Sequence, residues 1–262
     1  MFTSGAGCLE GEASEPMSGH SKWHNIRLRK GKVDAQRGAL FTKLSKEIIL
    51  AAKSGSPDPD ANYRLKMAVE KARENNMPAD NVKRAIARAT GAGGREIEEI
   101  RYEGYGPHGV AAVIDAATDN RNRTAGELRF LFGKHGGALG ETGSVAWIFD
   151  PVGILVVDPR GKAEDAFTED LLVDGVIDLE YGEPAEIYTV PTALRGVRDA
   201  LGGRGMKVSD AYLGMRPKTK VALEGAEMGQ ALAFLEALED HEDAQRVFSN
   251  IELSDAALEA LA

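Results

Sequence analysis

The chain has almost no cysteine, few aromatic residues and no long apolar run. Its one cysteine, Cys8, excludes an internal disulfide framework and any multi-cysteine zinc site. No apolar stretch approaches the ~20 residues that a bilayer-spanning helix needs, so no membrane partner is expected. The first 16 residues have neither the basic start nor the apolar core of a secretory signal, which leaves the cytoplasm as the expected compartment. Several catalytic signatures are missing as well: there is no GxxxxGK[ST], no GxSxG and no HExxH. The glycine-rich stretch 133–143 does not follow a strand and open a helix, so it reads as turns rather than a dinucleotide loop. No pair of carboxylates is marked as acid and base. An enzyme, a cofactor, a metal and a small-molecule substrate are therefore not expected. The content is otherwise that of a folded globular protein, 43% hydrophobic and 28% charged over 262 residues.

What is present is a strong charge asymmetry. The whole chain carries −9, yet residues 17–95 contain 17 basic and 7 acidic side chains, hence +10. Residues 96–262 contain 15 basic and 31 acidic ones, hence −16. A cationic module sits on an acidic body. Clustered Lys and Arg attract phosphate backbones through counterion release, so the module points to DNA or RNA as partner. The plainer alternative is a solvated helical face.

Periodicity divides the chain further. Residues 1–16 have no period and read as a disordered tail. Residues 18–32 read as a basic arm. Leu40, Leu44, Ile48 and Ala51 then fall at helical spacing, as do Leu65, Ala68, Val69 and Ala72, and Val82, Ala85, Ile86 and Ala89. Pro78 suits a helical first turn, and Gly91 a left-handed C-cap. Three short helices make a small helical domain over 17–95. Beyond it the period shortens, with strands at 101–105 and 110–117. A helix follows that Thr124 and Glu127 open as a capping box. Residues 144–149 alternate, placing Val145, Trp147 and Phe149 on one face. Later segments give a strand at 153–158, a helix at 163–174, a strand pair at 176–181 and 185–190, a helix at 192–201 and a strand at 207–214. Strand, helix and strand complete the chain at 220–223, 228–238 and 245–250. The expected class is α+β multidomain: an N-terminal small helical domain followed by two α+β sheet domains, the third inserted into the second. The expected boundaries are 96–160 with 218–253 for the discontinuous domain and 161–217 for the insertion. Periodicity alone leaves open whether the last strand returns to the first sheet.

Three constellations carry candidate chemistry. The arm holds Lys22, Arg27, Arg29, Lys30 and Lys32 around Trp23, a mixture that suits phosphates with a stacking ring. Trp23 serves equally well as a residue that docks the arm on the helices. His20 and His24 stand four apart with no third ligand type nearby, which disfavours a metal. In the helices, Lys43, Lys46, Lys83, Arg84 and Arg88 lie off the apolar stripes, with Arg84 and Arg88 on one face, and Arg37 is a further candidate nucleic-acid contact. The third constellation is Thr118-Asp119-Asn120-Arg121-Asn122-Arg123-Thr124, between a strand and a helix. Arg121 and Arg123 there form either a phosphate contact at a helix N-terminus or part of a polar turn that satisfies its own backbone.

An ordered series of motifs supports a family resemblance. It begins with Gly19-His20-Ser21-Lys22-Trp23, Asp34, Arg37, Phe41-Thr42-Lys43-Leu44 and Glu47-Ile48, followed by Asn76-Met77-Pro78 and Arg84-Ala85-Ile86. Tyr102-Glu103-Gly104-Tyr105-Gly106-Pro107, the 118–124 motif and Gly136-Gly137-Ala138-Leu139-Gly140 come next. Gly143-Ser144-Val145 and Met215-Arg216-Pro217 close the series. Over residues 17–252 the chain resembles the YebC/PmpR family. The resemblance implies three domains, the third inserted into the second, and a cytoplasmic, non-enzymatic regulator of gene expression. Bacterial members are described as DNA-binding transcriptional regulators and mitochondrial relatives as translational activators, so the ribosome is a further implied partner. Three features depart from the pattern: the tail 1–16, His108 where glycine is common, and Gly31-Lys32-Val33 in place of a more alanine-rich segment.

Overall fold

The structure, a computed structural model, describes residues 35–91 and 96–253. Three helices come first: α1 (Ala35–Lys53), α2 (Tyr63–Glu74) and α3 (Ala79–Ala89). Their apolar stripes meet in one core of Leu44, Ile48, Leu65, Val69, Val82 and Ala85, with Ile97 and Ala117 from the following sheet. The α1–α2 loop is tied by Asn62, which caps α2 by accepting from Leu65 N and donates to the carbonyls of Ala51 and Ser56, both at 2.8 Å. Pro78 stands one residue earlier than expected, as the N-cap of α3. Gly91 takes the left-handed conformation at φ +99°.

The second unit is a sheet of β1 (Glu98–Tyr105), β2 (Ala111–Thr118), β3 (Ala138–Leu139) and β9 (Ala244–Ser249), ordered β3-β1-β2-β9. Strand β9 therefore returns from far along the chain to pair antiparallel with β2. Helices α4 (Arg121–Lys134) and α7 (Gly225–Asp240) cover one face. Their core is built on Leu128, Phe132, Phe234 and Leu238, with the Phe132 and Phe234 rings edge-to-face at 5.0 Å. The turn between β1 and β2 holds His108 at φ +56°, a left-handed backbone that explains why glycine suits this position.

The third unit is a sheet of β4 (Phe149–Val157), β5 (Val176–Glu180), β6 (Ala185–Thr189) and β7 (Val208–Pro217), ordered β5-β6-β4-β7 and antiparallel throughout. Helices α5 (Glu164–Asp170) and α6 (Leu194–Gly203) pack on it around Phe167, Val197 and Leu201. Short strands β8 (Val221–Ala222) and β10 (Ile251–Glu252) pair in parallel beside the second unit. The chain leaves the second unit at Ile148 and re-enters it at Lys218, whose N–H donates to the Ile148 carbonyl at 2.8 Å. An insertion whose two ends touch leaves its host sheet intact.

Three expectations need correction. Phe149–Val157 was assigned with 96–160, but it pairs with β6 and β7, so the inserted sheet begins at 149. The helix after β2 opens at Asn120, whose side chain accepts from Arg123 N at 3.1 Å. Thr124 is fully buried inside that helix instead of capping it. Finally, 146–148 form a 3-10 turn, so Trp147 points to solvent while Val145 and Phe149 are buried.

Two polar joints hold the units together. Asp243, just before β9, has a side chain with no exposed surface. It receives Lys46 of α1, Thr124 at 2.6 Å and Arg123 at 2.8 Å. Its own carbonyl accepts from Ala117 N of β2 at 2.8 Å. At the second joint, Asp210 of β7 accepts from Lys71 of α2 at 3.2 Å and from Arg246 of β9 at 3.3 Å. The Arg246 guanidinium lies 3.5 Å from the centre of the Tyr212 ring.

The packing yields two predictions. A Cβ on Gly137 would collide with the Tyr105 carbonyl oxygen and lie 2.8 Å from the Gly106 Cα, both backbone atoms. Gly137→Ala is expected to lose about 1–3 kcal/mol in chemical denaturation. Gly133→Ala, with nothing within 4 Å, is expected to lose nothing. The second concerns Asp243. Burial pushes its carboxyl up, but hydrogen bonds from Lys46, Thr124 and Arg123 outweigh this and lower it to about 2. Its contribution is complete above the unfolded value near 4 and disappears as pH falls toward 2. Asp243→Asn is expected to cost on the order of 3 kcal/mol at neutral pH. Thermal melts between pH 4 and 2 should then fall less steeply in the variant than in the parent protein.

Candidate nucleic-acid interface

The expected interface residues divide by place. Lys22, Trp23, Arg27, Arg29, Lys30 and Lys32 lie outside the described residues, as do His20, His24 and the tail. Arg37 lies in the first turn of α1, and its side chain is likewise outside the description.

On α3 the apolar side of Val82 and Ala85 is buried in the helical core, which turns Lys83, Arg84 and Arg88 outward. Arg84 is steadied by its own helix, donating to the Asp80 carbonyl at 3.3 Å and to the Asn81 side chain. Arg88 follows one turn later. These three cations share an exposed surface of one short helix. Lys66 and Arg73 of α2 are also exposed.

Lys43 lies elsewhere. It donates to the carbonyl of Glu239 near the end of α7, and Lys46 on the next turn reaches Asp243. Both face the second unit, not the surface that α3 presents. Off-stripe placement on α1 thus marks a second packing face.

Arg121 and Arg123 stand two apart in sequence and pair with different carboxylates. Arg121 forms a two-pronged pair with Glu98 at the start of β1, both bonds 2.6 Å. Arg123 enters the Asp243 cluster and lies 3.3 Å from Asp119. The Asn120 side chain accepts from Arg123 N, and the Asn120 N–H donates to Thr118 Oγ1 at 2.9 Å. The loop satisfies backbone groups of its own, and each guanidinium has a carboxylate, Glu98 of β1 for Arg121, and Asp119 and Asp243 for Arg123. The two arginines are not brought onto one anion in this arrangement.

Glu127, His241 and Asp243 are the one trio of potential metal ligands among the described residues. Their groups already hold one another. His241 Nδ1 accepts from Asp243 N at 3.1 Å, and Nε2 meets Glu127 at 3.0 Å. The Asp243 oxygens are taken by Lys46, Arg123 and Thr124. Two cations at the same carboxylate make this a poor cation site. Sequence reasoning also missed the exposure of Trp147 and Phe130, 67% and 68%. For Phe130 the signal was available, since it lies off the Leu128, Leu131 and Phe132 stripe.

Comparison with known proteins places this arrangement. Residues 21–92 match the family model described as the TACO1/YebC protein N-terminal domain, and residues 97–251 match that of the TACO1/YebC second and third domain. A protein of Pelotomaculum thermopropionicum named probable transcriptional regulatory protein is 49% identical over 91% of this chain and all of its own length. A protein of the same name from Herpetosiphon aurantiacus is 46% identical over 94% of this chain and 99% of its own. The crystal structure of a conserved hypothetical protein from Aquifex aeolicus superposes with a TM-score of 0.79 at 40% identity, covering 86% of this chain and 93% of that one. No helix among the described residues is long and apolar enough to cross a membrane. With both family models matched in order and relatives aligned along nearly their whole length, the chain belongs to the TACO1/YebC family, whose curated members here are named as regulators of transcription.

Proposed function

We propose that the protein is a non-enzymatic, nucleic-acid-binding regulator of gene expression acting in the cytoplasm. The observation that carries this reading is the division of charge. Residues 17–95 hold +10 while the remainder is acidic, and Lys83, Arg84 and Arg88 of α3 are exposed, whereas Lys43, Lys46 and Lys71 are used in contacts with the other units. The interface consists of Lys22, Trp23, Arg27, Arg29, Lys30 and Lys32 of the arm, Arg37, and Lys83, Arg84 and Arg88 of α3. Binding through such residues is to phosphates and is sequence-indifferent, since none of them is assigned to a base edge.

That indifference favours a second reading beside a DNA-binding transcriptional regulator, namely a ribosome-associated translation factor whose basic module touches ribosomal RNA. A transcription factor prefers its own duplex by about 10³-fold or more over random duplex at physiological salt. A ribosome-bound factor lacks this preference and sediments with ribosomes. Strong footprints without co-sedimentation would remove the translation reading.

The shared electrostatic claim is tested by salt titration of the full chain. With Lys83, Arg84 and Arg88 replaced by Ala, the log–log salt slope is expected to become shallower by about 2–3, near 0.9 per lost phosphate contact on duplex DNA. Replacing Lys22, Arg29, Lys30 and Lys32 by Ala is expected to act in the same direction. Unchanged slopes in both variants would refute the interface. Arg121→Ala, which removes an exposed pair, is expected to leave the midpoint of chemical denaturation unchanged.

A further inference from the structure

Trp147 stands where the chain is about to cross from the second unit into the third. Its neighbours Val145 and Ile148 are buried, while its own side chain is 67% exposed. The indole N–H donates to the Ser144 carbonyl at 3.1 Å, so the polar edge of the ring is used within the turn. What faces solvent is aromatic carbon.

The backbone beneath the ring is fixed. Glu103 of β1, only 2% exposed, accepts from the N–H groups of Gly143 at 2.9 Å, Val145 at 3.0 Å and Ala146 at 2.8 Å. On the other side, Lys218 N donates to the Ile148 carbonyl, and Lys218 Nζ donates to the Trp147 carbonyl at 3.2 Å. The same ammonium lies 3.1 Å from Asp150. A flat ring is thus held rigidly with one exposed cation at its base.

We propose that Trp147 is a stacking platform for an unpaired base of single-stranded nucleic acid, with Lys218 meeting the adjoining phosphate. The proposal rests on the nucleic-acid reading above and adds a contact on the acidic body. A base, rather than a protein partner, fits the surroundings. Protein anchors lie within a ring of apolar contacts that exclude water, whereas here the indole N–H is spent on the Ser144 carbonyl and an ammonium, Lys218 Nζ, is bonded to the Trp147 carbonyl. Stacking also tolerates any base, and on a body that carries −16 Lys218 supplies the local positive charge for the adjoining phosphate. A duplex hides its base faces, which restricts the ligand to single strands.

The chain has two tryptophans, Trp23 and Trp147, so full-length Trp23→Phe makes Trp147 the one indole reporter. Its emission is titrated with a 12-nucleotide oligouridylate, an abasic oligomer of equal length and a duplex RNA. Quenching by the oligouridylate alone is expected. Trp147→Ala in the otherwise native chain is expected to weaken oligouridylate binding about 5- to 150-fold, the range for loss of one stacked base. Its abasic affinity, salt slope and melting temperature should be unchanged, and Trp147→Phe should restore most of the loss. Equal quenching by the abasic oligomer would overturn the proposal. So would native affinity of Trp147→Ala while the arm variant still loses binding, an outcome that leaves the nucleic-acid reading standing. If Trp147→Ala instead abolishes self-association in sedimentation with RNA binding intact, the ring is a protein contact and the proposal fails. An unaltered chain that binds no nucleic acid would refute both readings together.

Discussion

A buried carboxylate has to be paired, and Asp243 is paired from three directions. Lys46 comes from the helical unit, Arg123 and Thr124 come from α4, and the Asp243 carbonyl is held by β2. Moving any one of these elements strips partners from a charge that has no exposed side-chain surface. The penalty for an unpaired buried charge exceeds the gain from forming the pair. The cluster therefore contributes less to total stability than to fixing one arrangement of the units. Register between α1 and the sheet follows from it, since Lys43 and Lys46 lie one turn apart and bracket the end of α7.

The composition of β2 reflects the same crowding. This strand reads Ala-Ala-Val-Ile-Asp-Ala-Ala-Thr and is buried along nearly its whole length. One of its faces meets α4 and α7 through Ala112 and Ile114. The other meets the inserted unit through Ala111 and Val113, and its end meets the helical core through Ala117. Three cores touch one strand, and small side chains allow that approach. Asp115, the one charged residue on the strand, lies opposite Arg101 and pairs with it at 2.7 Å, which satisfies the only ionic group in the run.

Such arrangements explain what was legible in the sequence. The helices α1, α2 and α3 were readable because each buries one stripe against its neighbours, and a stripe is local information. The pairing of β9 with β2 was only suggested, since it joins residues some 130 positions apart. The assignment of Phe149–Val157 failed for the same reason, because its partners β6 and β7 lie later in the chain. Thr124 reads as the cap in the sequence because threonine three before a glutamate is a capping-box pattern, while asparagine at 120 caps helices equally well. Only the burial of Thr124 against Asp243 separates them. Trp147 was misplaced because three alternating apolar residues look alike whether they line a strand or straddle a 3-10 turn. For the interface, the α3 cations were readable, whereas Lys43 was not distinguishable from them, since periodicity reports the face a helix buries in its own unit and not a second face used by another.

The charge asymmetry thus has two roles, and the helices separate them. Cations on α1 and α2 face the acidic body: Lys46 meets Asp243, Lys53 meets Glu96, Arg64 meets Glu99 and Lys71 meets Asp210. The relation also runs the other way, with Arg198 stacked on Tyr63 at 4.8 Å and Lys207 3.8 Å from Glu74. Part of the excess positive charge is neutralised within the molecule and serves to dock the units. The α3 cations are exposed and are not among these pairs. A polyanion can approach that surface without competing for the pairs that hold the body in place, so binding there and integrity of the fold are physically separable.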